Sequence, residues 1–216
     1  MEPLALKTYL QAIVPLSEED WKAGAGAFAR EQLRRGDYYL REQQYCNKIS
    51  FIESGLFRLF YLHEGAEKIM MFFSEQQFVT DYFGYLSRTP SIRPIQAVED
   101  SVIYTITREK LEALFAASKS WERMGRLLAE RSYLLAVQRA NRLLHDDPDT
   151  RFDALLREYP GLMQRVPQYM IASYLNVQPE TLSRIKRRRM GHTNIRPSIH
   201  DPLNPDTPGS VLDPDQ

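Results

Sequence analysis

The first thirty residues place apolar side chains at the spacing of a helix face. Leu4, Leu6 and Leu10 recur at such intervals, and a second segment begins at Ser17. A serine before a run of acidic residues is typical of a helix start, because its hydroxyl caps the free N–H groups and the acids favour the first turn. The pattern predicts two short helices over residues 4–30.

From about Gln32 to Thr105 the apolar positions form short runs that are separated by turn residues such as Gly36, Gly55 and Gly65. Short β-type runs with turns at close spacing are typical of an antiparallel roll or sandwich. The predicted strands are residues 38–40, 48–52, 56–62, 68–73, 94–98 and 102–106. We therefore predict an α+β protein whose first part is an antiparallel β-roll of the jelly-roll type.

Beyond Thr107 the helical spacing returns, and residues 120–144 contain no proline and one glycine. Four apolar side chains fall on one seam at heptad-like intervals: Leu127, Leu134, Val137 and Leu144. Such a seam is covered either by the β-roll of the same chain or by the same helix of a second copy. The pattern alone leaves both interpretations open.

The segment VPQYMIASYLNVQPETLSRIKRRRM predicts two short helices joined by a tight turn at Asn176. Pro167 suits the first position of one helix, and Pro179 starts the next. The residues predicted to face inward are Met170, Ile171, Tyr174, Leu175, Leu182 and Ile185. Two helices with a turn of this length form the helix-turn-helix pattern of DNA-binding proteins.

The second of these helices is predicted to carry a polar and positively charged outer face. The segment over residues 161–190 holds six arginines and lysines against one acid. The exposed residues are expected to be Glu180, Thr181, Ser183, Arg184, Arg187 and Arg188. Such a face fits a groove lined with phosphates, although a basic run also occurs at solvated helix ends, where the helix dipole favours it.

These patterns divide the chain into four parts. Residues 1–117 are predicted to form the β-roll domain with its short N-terminal helices, residues 118–145 the long helix and residues 146–190 the helix-turn-helix domain, with a further helix over residues 150–159. Residues 191–216 contain five prolines and few apolar side chains. We predict a disordered tail there, because such a segment buries too little surface to offset its ordering entropy.

The composition of the chain bears on its partners and on the kind of protein that it can be. Lysine plus arginine and aspartate plus glutamate both number 28, so the net charge of zero does not point to nucleic acid and local charge must decide. The single cysteine, Cys46, cannot close an internal disulfide, and the start lacks a signal-peptide pattern. No apolar run approaches the ~20 residues of a membrane span. We expect a cytoplasmic protein with no membrane contact, no metal and no cofactor.

Taken together, residues 1 to about 190 resemble the Crp/Fnr superfamily of transcription regulators. The resemblance implies that residues 1–117 are a cyclic-nucleotide-binding-like sensor domain, residues 118–145 a dimerisation helix and residues 146–190 the DNA-binding domain. It further implies a homodimer that reads a palindromic site in double-stranded DNA, and RNA polymerase as a further partner. The family's glutamate and arginine base contacts fall on Glu180 and Arg184, whereas a further family arginine is Pro179 here. The other expected DNA contacts are Gln168, Gln178, Thr181, Ser183, Arg187 and Arg188.

In the same family, a Gly-Glu pair and an Arg-Ser or Arg-Thr pair hold the ribose and phosphate of cyclic AMP. The matching positions here are Thr80-Asp81 and Ser91-Ile92, so the phosphate-binding arginine is missing unless Arg93 replaces it. We expect that cyclic AMP is not the effector. Six aromatic residues crowd this region and indicate either an apolar ligand pocket or, as we favour, a filled core: Phe72, Phe73, Phe78, Tyr82, Phe83 and Tyr85.

Two other classes of function compete with a DNA-binding regulator. A ligand-binding sensor module that acts through protein contacts would favour an intact Gly-Glu and Arg pair, which the sequence lacks. A cupin-like enzyme would require clustered metal ligands on strands, and only His63 lies there. The basic helix near Pro179 favours the regulator, and we expect no enzymatic activity.

Overall fold

The computed structural model describes residues 3–190, so the predicted tail lies outside the described residues. Two short helices open the chain, α1 (Leu4–Gln11) and α2 (Glu18–Ala25). The Ser17 hydroxyl caps α2 by accepting a hydrogen bond from the Asp20 N–H at 3.0 Å. The helical part ends earlier than predicted, because Ala29 already begins a strand.

Over residues 3–190, eight strands form two antiparallel sheets. The strands are β1 (Ala29–Leu33), β2 (Tyr38–Leu40), β3 (Lys48–Ser54), β4 (Phe57–His63), β5 (Ala66–Phe73), β6 (Phe78–Val79), β7 (Ile95–Ala97) and β8 (Ser101–Thr107). One sheet has the order β1-β8-β3-β6 and the other the order β2-β7-β4-β5. A short helix, α3 (Tyr82–Ser87), links β6 to the loop before β7. The six predicted strands are confirmed within a few residues, whereas β1 and β6 were not predicted.

The core of the roll lies between the two sheets. Side chains alternate along each strand, so one face of every strand points to this core. Ile52 and Ile103 enter it from the first sheet, and Phe57 and Ile95 enter it from the second; all four are fully buried. The predicted antiparallel β-roll is therefore confirmed.

Helices cover the outer face of the first sheet. Phe51 and Tyr104 point outward from β3 and β8 and pack with Leu6 of α1 and with Trp121. The covering helices include α4 (Arg108–Ala117) and the long helix α5 (Lys119–His145). This packing fixes the start of α5 on the roll.

Four helices follow α5 and cover the outer face of the second sheet: α6 (Pro148–Glu158), α7 (Leu162–Arg165), α8 (Gln168–Tyr174) and α9 (Pro179–Met190). Within the described residues from 146 onward the chain is helical and contains no strand. Pro167 precedes the first residue of α8 instead of occupying its first position, a correction of one residue.

A bulge in β5 decides which side chains face these helices. Leu59 pairs with Met71 and Phe60 pairs with Ile69, so Met70 has no partner on β4. The extra residue reverses the alternation of side chains. As a result Ile69 and Phe72 both face the C-terminal helices, while Met71 faces the core of the roll.

Candidate nucleic-acid interface and sensor site

A tight turn sets the angle between α8 and α9. Asn176 has a φ of 53°, a left-handed conformation that asparagine tolerates better than most residues. The Val177 N–H donates to the Ala172 carbonyl at 3.0 Å and closes the turn. α9 then begins at Pro179, as predicted.

The inner faces of the two helices lock the pair together. Ile171 of α8, Leu175 directly after α8, and Leu182 and Ile185 of α9 are at most 1% exposed and share one core. Spacing of three to four residues places each pair on one side of its helix. The opposite side of α9 therefore has to face solvent.

That outer side carries the predicted polar residues. The exposed residues on α9 are Glu180, Ser183, Arg184, Arg187 and Arg188, and Thr181 is half-buried beside them. Two other predicted residues are also exposed, namely Gln178 just before α9 and Gln168 at the start of α8. Arg184 donates a hydrogen bond to the Thr181 hydroxyl at 3.2 Å. Glu180 lies in the first turn of α9 and the arginines lie toward its end, an order that the helix dipole favours. The arrangement presents a polar ridge with hydrogen-bond donors, an acceptor carboxylate and a positive end.

The end of α9 is tied to α6 by ion pairs that the sequence did not reveal. The Arg188 guanidinium lies 2.6 Å from Asp149, and that of Arg189 lies 2.5 Å from Asp153. Asp149 and Asp153 are one turn apart on α6. Two of the basic residues at the end of α9 therefore already have carboxylate partners.

The candidate sensor site contains a closed polar cluster. The Asp81 carboxylate is 2% exposed, accepts a hydrogen bond from the Ser91 hydroxyl at 2.6 Å and lies 2.8 Å from the Arg93 guanidinium. The Ser91 hydroxyl also accepts from the Arg93 N–H at 3.0 Å. Gly84 makes room for this arrangement, since a Cβ there would lie 2.5 Å from an Asp81 oxygen. Arg93, the residue that could replace the missing family arginine, is therefore paired with Asp81.

The other two predicted sensor residues point elsewhere. Thr80 donates to the Lys48 carbonyl at 3.1 Å and lies 3.2 Å from the buried Cys46 sulfur. Ile92 is 64% exposed. Of the five predicted sensor residues, three therefore contact one another, namely Asp81, Ser91 and Arg93.

The aromatic residues of this region are divided among separate parts of the core and do not line one pocket. Phe72 belongs to the core under the C-terminal helices, Phe73 and Tyr85 belong to the core of the roll, and Phe78 packs against α1. Phe83 is exposed, with the Arg93 guanidinium 5.1 Å from its ring centre. The bulge in β5 and the short β6 separate side chains that are close in sequence.

The roll of the same chain covers the apolar seam of α5 only near the start of the helix. Near its start, Trp121 and Met124 are buried on the chain's own roll, and Leu127 packs partly against the same core. Further along, Leu134, Val137 and Leu144 are 46%, 39% and 77% exposed. Other apolar side chains are exposed beside them, namely Tyr133, Leu135 and Leu143. The second half of α5 thus presents an uncovered apolar face.

The roll and the C-terminal helices contact each other through side chains that sequence reasoning missed. Ser173 of α8 accepts a hydrogen bond from the Ile69 N–H at 2.9 Å and donates to the Glu67 carbonyl at 3.1 Å. The buried Tyr159 hydroxyl donates to the Phe72 carbonyl at 2.8 Å, and its burial raises the Tyr159 pKa well above the ordinary value. These residues look like ordinary helix positions in the sequence, so no local signal marks them.

An ion-pair cluster at Arg165 completes this contact. Arg165 of α7 lies 2.8 Å from Glu75 and pairs also with Glu99, two carboxylates on turns of the roll. The hydrogen bonds that Arg165 donates to the Glu99 and Glu75 carboxylates raise the Arg165 pKa above its ordinary value. The guanidinium therefore stays charged and bridges the two halves of the chain.

Known proteins share both the sequence pattern of the roll and the fold of the chain. The sequence model of the cyclic nucleotide-binding domain family matches residues 30–118. FixK2 from Bradyrhizobium japonicum superposes with a TM-score of 0.64 at 16% identity, over 78% of this chain and 90% of that one. The chain has the Crp/Fnr fold. No curated protein sequence matches it.

Two further structures with this fold cover both halves of the chain. The catabolite activator protein of Thermus thermophilus has a TM-score of 0.53 and 20% identity, over 88% of this chain and 91% of that one. The c-di-GMP responsive regulator CLP of Xanthomonas campestris has a TM-score of 0.59 and 17% identity, over 83% and 96%. At these identities the likeness concerns the fold, so function has to be argued from the site.

The described residues lack two kinds of feature. Over residues 3–190 no helix is long and apolar enough to cross a membrane. In the same part of the chain, no three histidine, cysteine, aspartate or glutamate side chains come together in a way that could hold a metal ion.

Proposed function

We propose that the chain is a homodimeric transcription regulator that binds a palindromic site in double-stranded DNA through α9. The observation that carries the proposal is the geometry of α8 and α9, in which Leu182 and Ile185 are fully buried and the opposite face is polar and exposed. A helix held in this way by a preceding helix is the element that helix-turn-helix proteins place in the major groove. The shared Crp/Fnr fold supports this assignment. No enzymatic activity is proposed.

Within α9 we assign different roles to its two ends. Glu180 and Arg184 lie near the start of the helix and are proposed to read bases, since arginine matches guanine and glutamate accepts from cytosine. Arg187 lies farther along and is proposed to contact phosphate. Arg188 was expected to do the same, but its guanidinium is paired with Asp149. The polar side chains of Gln168, Gln178, Thr181 and Ser183 surround these contacts.

The dimer is proposed to form through the second half of α5. Leu134, Val137 and Leu144 are exposed there, and burying them against the same helix of a second copy would remove apolar surface from water. A two-fold axis along α5 would place two copies of α9 on two half-sites, which is why we propose a palindromic site. By the family resemblance, RNA polymerase would be a further partner and the cytoplasm the place of action.

Cyclic AMP is proposed not to be the effector, despite the domain family that residues 30–118 match. A bound cyclic phosphate needs a cation and hydrogen-bond donors. Here the Arg93 guanidinium and the Ser91 hydroxyl both engage the buried Asp81 carboxylate. A phosphate at the same place would meet a negative charge.

The deciding experiment is selection of bound duplexes from a random DNA pool with purified protein and no added ligand. We expect enrichment of a site with two-fold symmetry. The matched control is the Glu180→Ala/Arg184→Ala variant, which keeps the buried face of α9 and should enrich no common sequence. If the native chain enriched no sequence with or without added nucleotides, a DNA-reading function would have to be abandoned.

A further inference from the structure

Carboxylates of α6 hold the last arginines of α9. The Arg188 guanidinium is bidentate, with Nη2 at 2.6 Å from one Asp149 oxygen and Nε at 3.3 Å from the other. Arg189 Nη2 lies 2.5 Å from an Asp153 oxygen. Since Asp149 and Asp153 are four residues apart on a helix, the two ion pairs lie one above the other along α6.

The other two arginines of α9 are engaged differently. The Arg184 guanidinium donates to the Thr181 hydroxyl of its own helix. Over residues 3–190, neither Arg184 nor Arg187 has a carboxylate at ion-pair distance. Of the four arginines of α9, Arg184 and Arg187 are therefore open to a ligand. The other two, Arg188 and Arg189, already bind a carboxylate.

We infer that Asp149 and Asp153 act as internal substitutes for DNA phosphate, so that Arg188 and Arg189 add little to sequence-independent DNA binding. This inference rests on the proposed function. A carboxylate offers arginine the same pair of acceptor oxygens as a phosphate does. Exchanging one oxyanion for another therefore gains little, and each carboxylate also repels the DNA backbone.

The consequence concerns specificity. Sequence-independent affinity comes from the phosphates that arginines and lysines neutralise, whereas base contacts supply discrimination. The α6 carboxylates lie beside the last turn of α9, one turn beyond Arg184 and two turns beyond Glu180. They therefore lower the affinity for any DNA while leaving the base-reading end free, which makes Asp149 and Asp153 specificity-determining residues.

The first test is the Asp149→Asn/Asp153→Asn variant, whose binding to a random-sequence duplex is measured over a range of salt concentrations. Each freed arginine can neutralise one phosphate, so the slope of log affinity against log salt should steepen by about one to two units. Affinity for random DNA should rise about three- to tenfold at moderate salt. An unchanged slope, or weaker binding by a variant that melts like the native chain, would overturn the inference.

Glu158→Gln supplies the matched control. Glu158 is also on α6, but its carboxylate pairs with Arg142 of α5 at 3.1 Å. This variant changes the net charge without releasing an arginine of α9. Its salt slope should match that of the native chain, and an equal steepening would show that overall charge alone explains the effect.

A double-mutant comparison tests whether Asp149 masks Arg188, that is, keeps its guanidinium from a DNA phosphate, or only supports the fold of α9. Arg188→Ala should change the salt slope little in the native chain, because Arg188 is held by Asp149. The same change in an Asp149→Asn background should lower the slope by about one unit. Equal losses in both backgrounds would contradict the masking of Arg188.

Binding to heparin tests the masking of Arg188 and Arg189 without requiring that the chain recognise DNA. It therefore separates this inference from the proposed function. Heparin, a sulfated polyanion, should release the Asp149→Asn/Asp153→Asn variant at higher salt than the native chain. If the native chain bound no DNA, the proposed function would fail while the heparin elution still decided the inference. Elution at the same salt would overturn the masking even if DNA binding were found.

Discussion

The Ile69 N–H donates a hydrogen bond to the Ser173 hydroxyl at 2.9 Å across the boundary between the roll and the helix-turn-helix. Ile69 lies on β5, the last strand of its sheet, so its N–H has no strand to pair with on that side. Ser173 therefore takes the place of a neighbouring strand. This hydrogen bond joins β5 of the roll directly to α8.

Ser173→Ala should destabilise the chain, because the N–H of the buried Ile69 would lose its acceptor. We expect a loss of about 1 to 2 kcal/mol in the free energy of unfolding, measured by urea denaturation. Ser132→Ala is the control, since Ser132 is exposed on α5 and bonds only within its own helix. The control should stay within ~0.5 kcal/mol of the native chain, and equal losses in the two variants would contradict the role of Ser173.

Acid should loosen the contact at Arg165. Partial burial would raise the pKa of Glu75, but hydrogen bonds from Arg165 and the Gly55 N–H outweigh it and hold the pKa below its ordinary value of 4.5. Stability from this carboxylate is therefore present above about pH 4.5 and is lost as the pH falls through the lower folded-state pKa.

Glu75→Gln tests this dependence. Its free energy of unfolding, measured by denaturation between pH 7 and pH 3, should fall less on acidification than that of the native chain. Glu19→Gln, at an exposed position of α2, should behave like the native chain. Identical pH profiles for Glu75→Gln and the native chain would show that the ion pair contributes nothing.

Leu134→Glu should convert the proposed dimer to a monomer in sedimentation, because Leu134 lies in the exposed part of the α5 seam and a charge there opposes burial. Ser132→Glu adds the same charge away from the seam and should leave the mass unchanged. A dimer that survives Leu134→Glu would place the interface elsewhere.

Cyclic AMP should show no saturable binding at micromolar concentrations in calorimetry. The Arg93 guanidinium that would bind the phosphate is 2.8 Å from Asp81, and the buried carboxylate repels an anion. Saturable binding that Arg93→Ala abolishes would mean that Arg93 leaves Asp81 and replaces the family arginine. In that case the pocket would be functional.

Arg184→Ala should cost about 1 to 3 kcal/mol on the selected site and relax the preference at one base pair. Arg187→Ala should weaken binding to all sequences alike and lower the salt slope by about one unit. Gel shifts over single base changes and over salt distinguish the two. If Arg184→Ala changed only the salt slope, α9 could not have its start in the major groove.

The sequence predicted those elements whose signal is local. The α8 and α9 pair was recognisable because Leu182 and Ile185 keep helical spacing and Asn176 suits a tight turn. β1 was missed because its residues, Ala29–Leu33, are mostly polar and it forms a strand by pairing with the distant β8. β6 was missed because two residues are too few to show a period.

The candidate sites were predictable as lists of residues but not as contacts. Position in the sequence suggested that Arg93 could substitute for a missing arginine, yet only the path of the loop after α3 reveals that it meets Asp81. Arg188 was predicted to face DNA because it is basic and outward, and its ion pair with Asp149 depends on where α6 lies. Contacts between distant helices leave no pattern in either helix alone.

The covering of β5 by α8 also protects the chain from self-association. An uncovered terminal strand exposes a row of backbone groups that can template pairing with another chain. Here Ser173 and Tyr159 occupy such groups at Ile69, Glu67 and Phe72. A helix-turn-helix that swings away from the roll would uncover this row and the apolar face around Phe72. The packing of α8 on β5 is therefore coupled to solubility, and sequence changes that loosen it would favour aggregation.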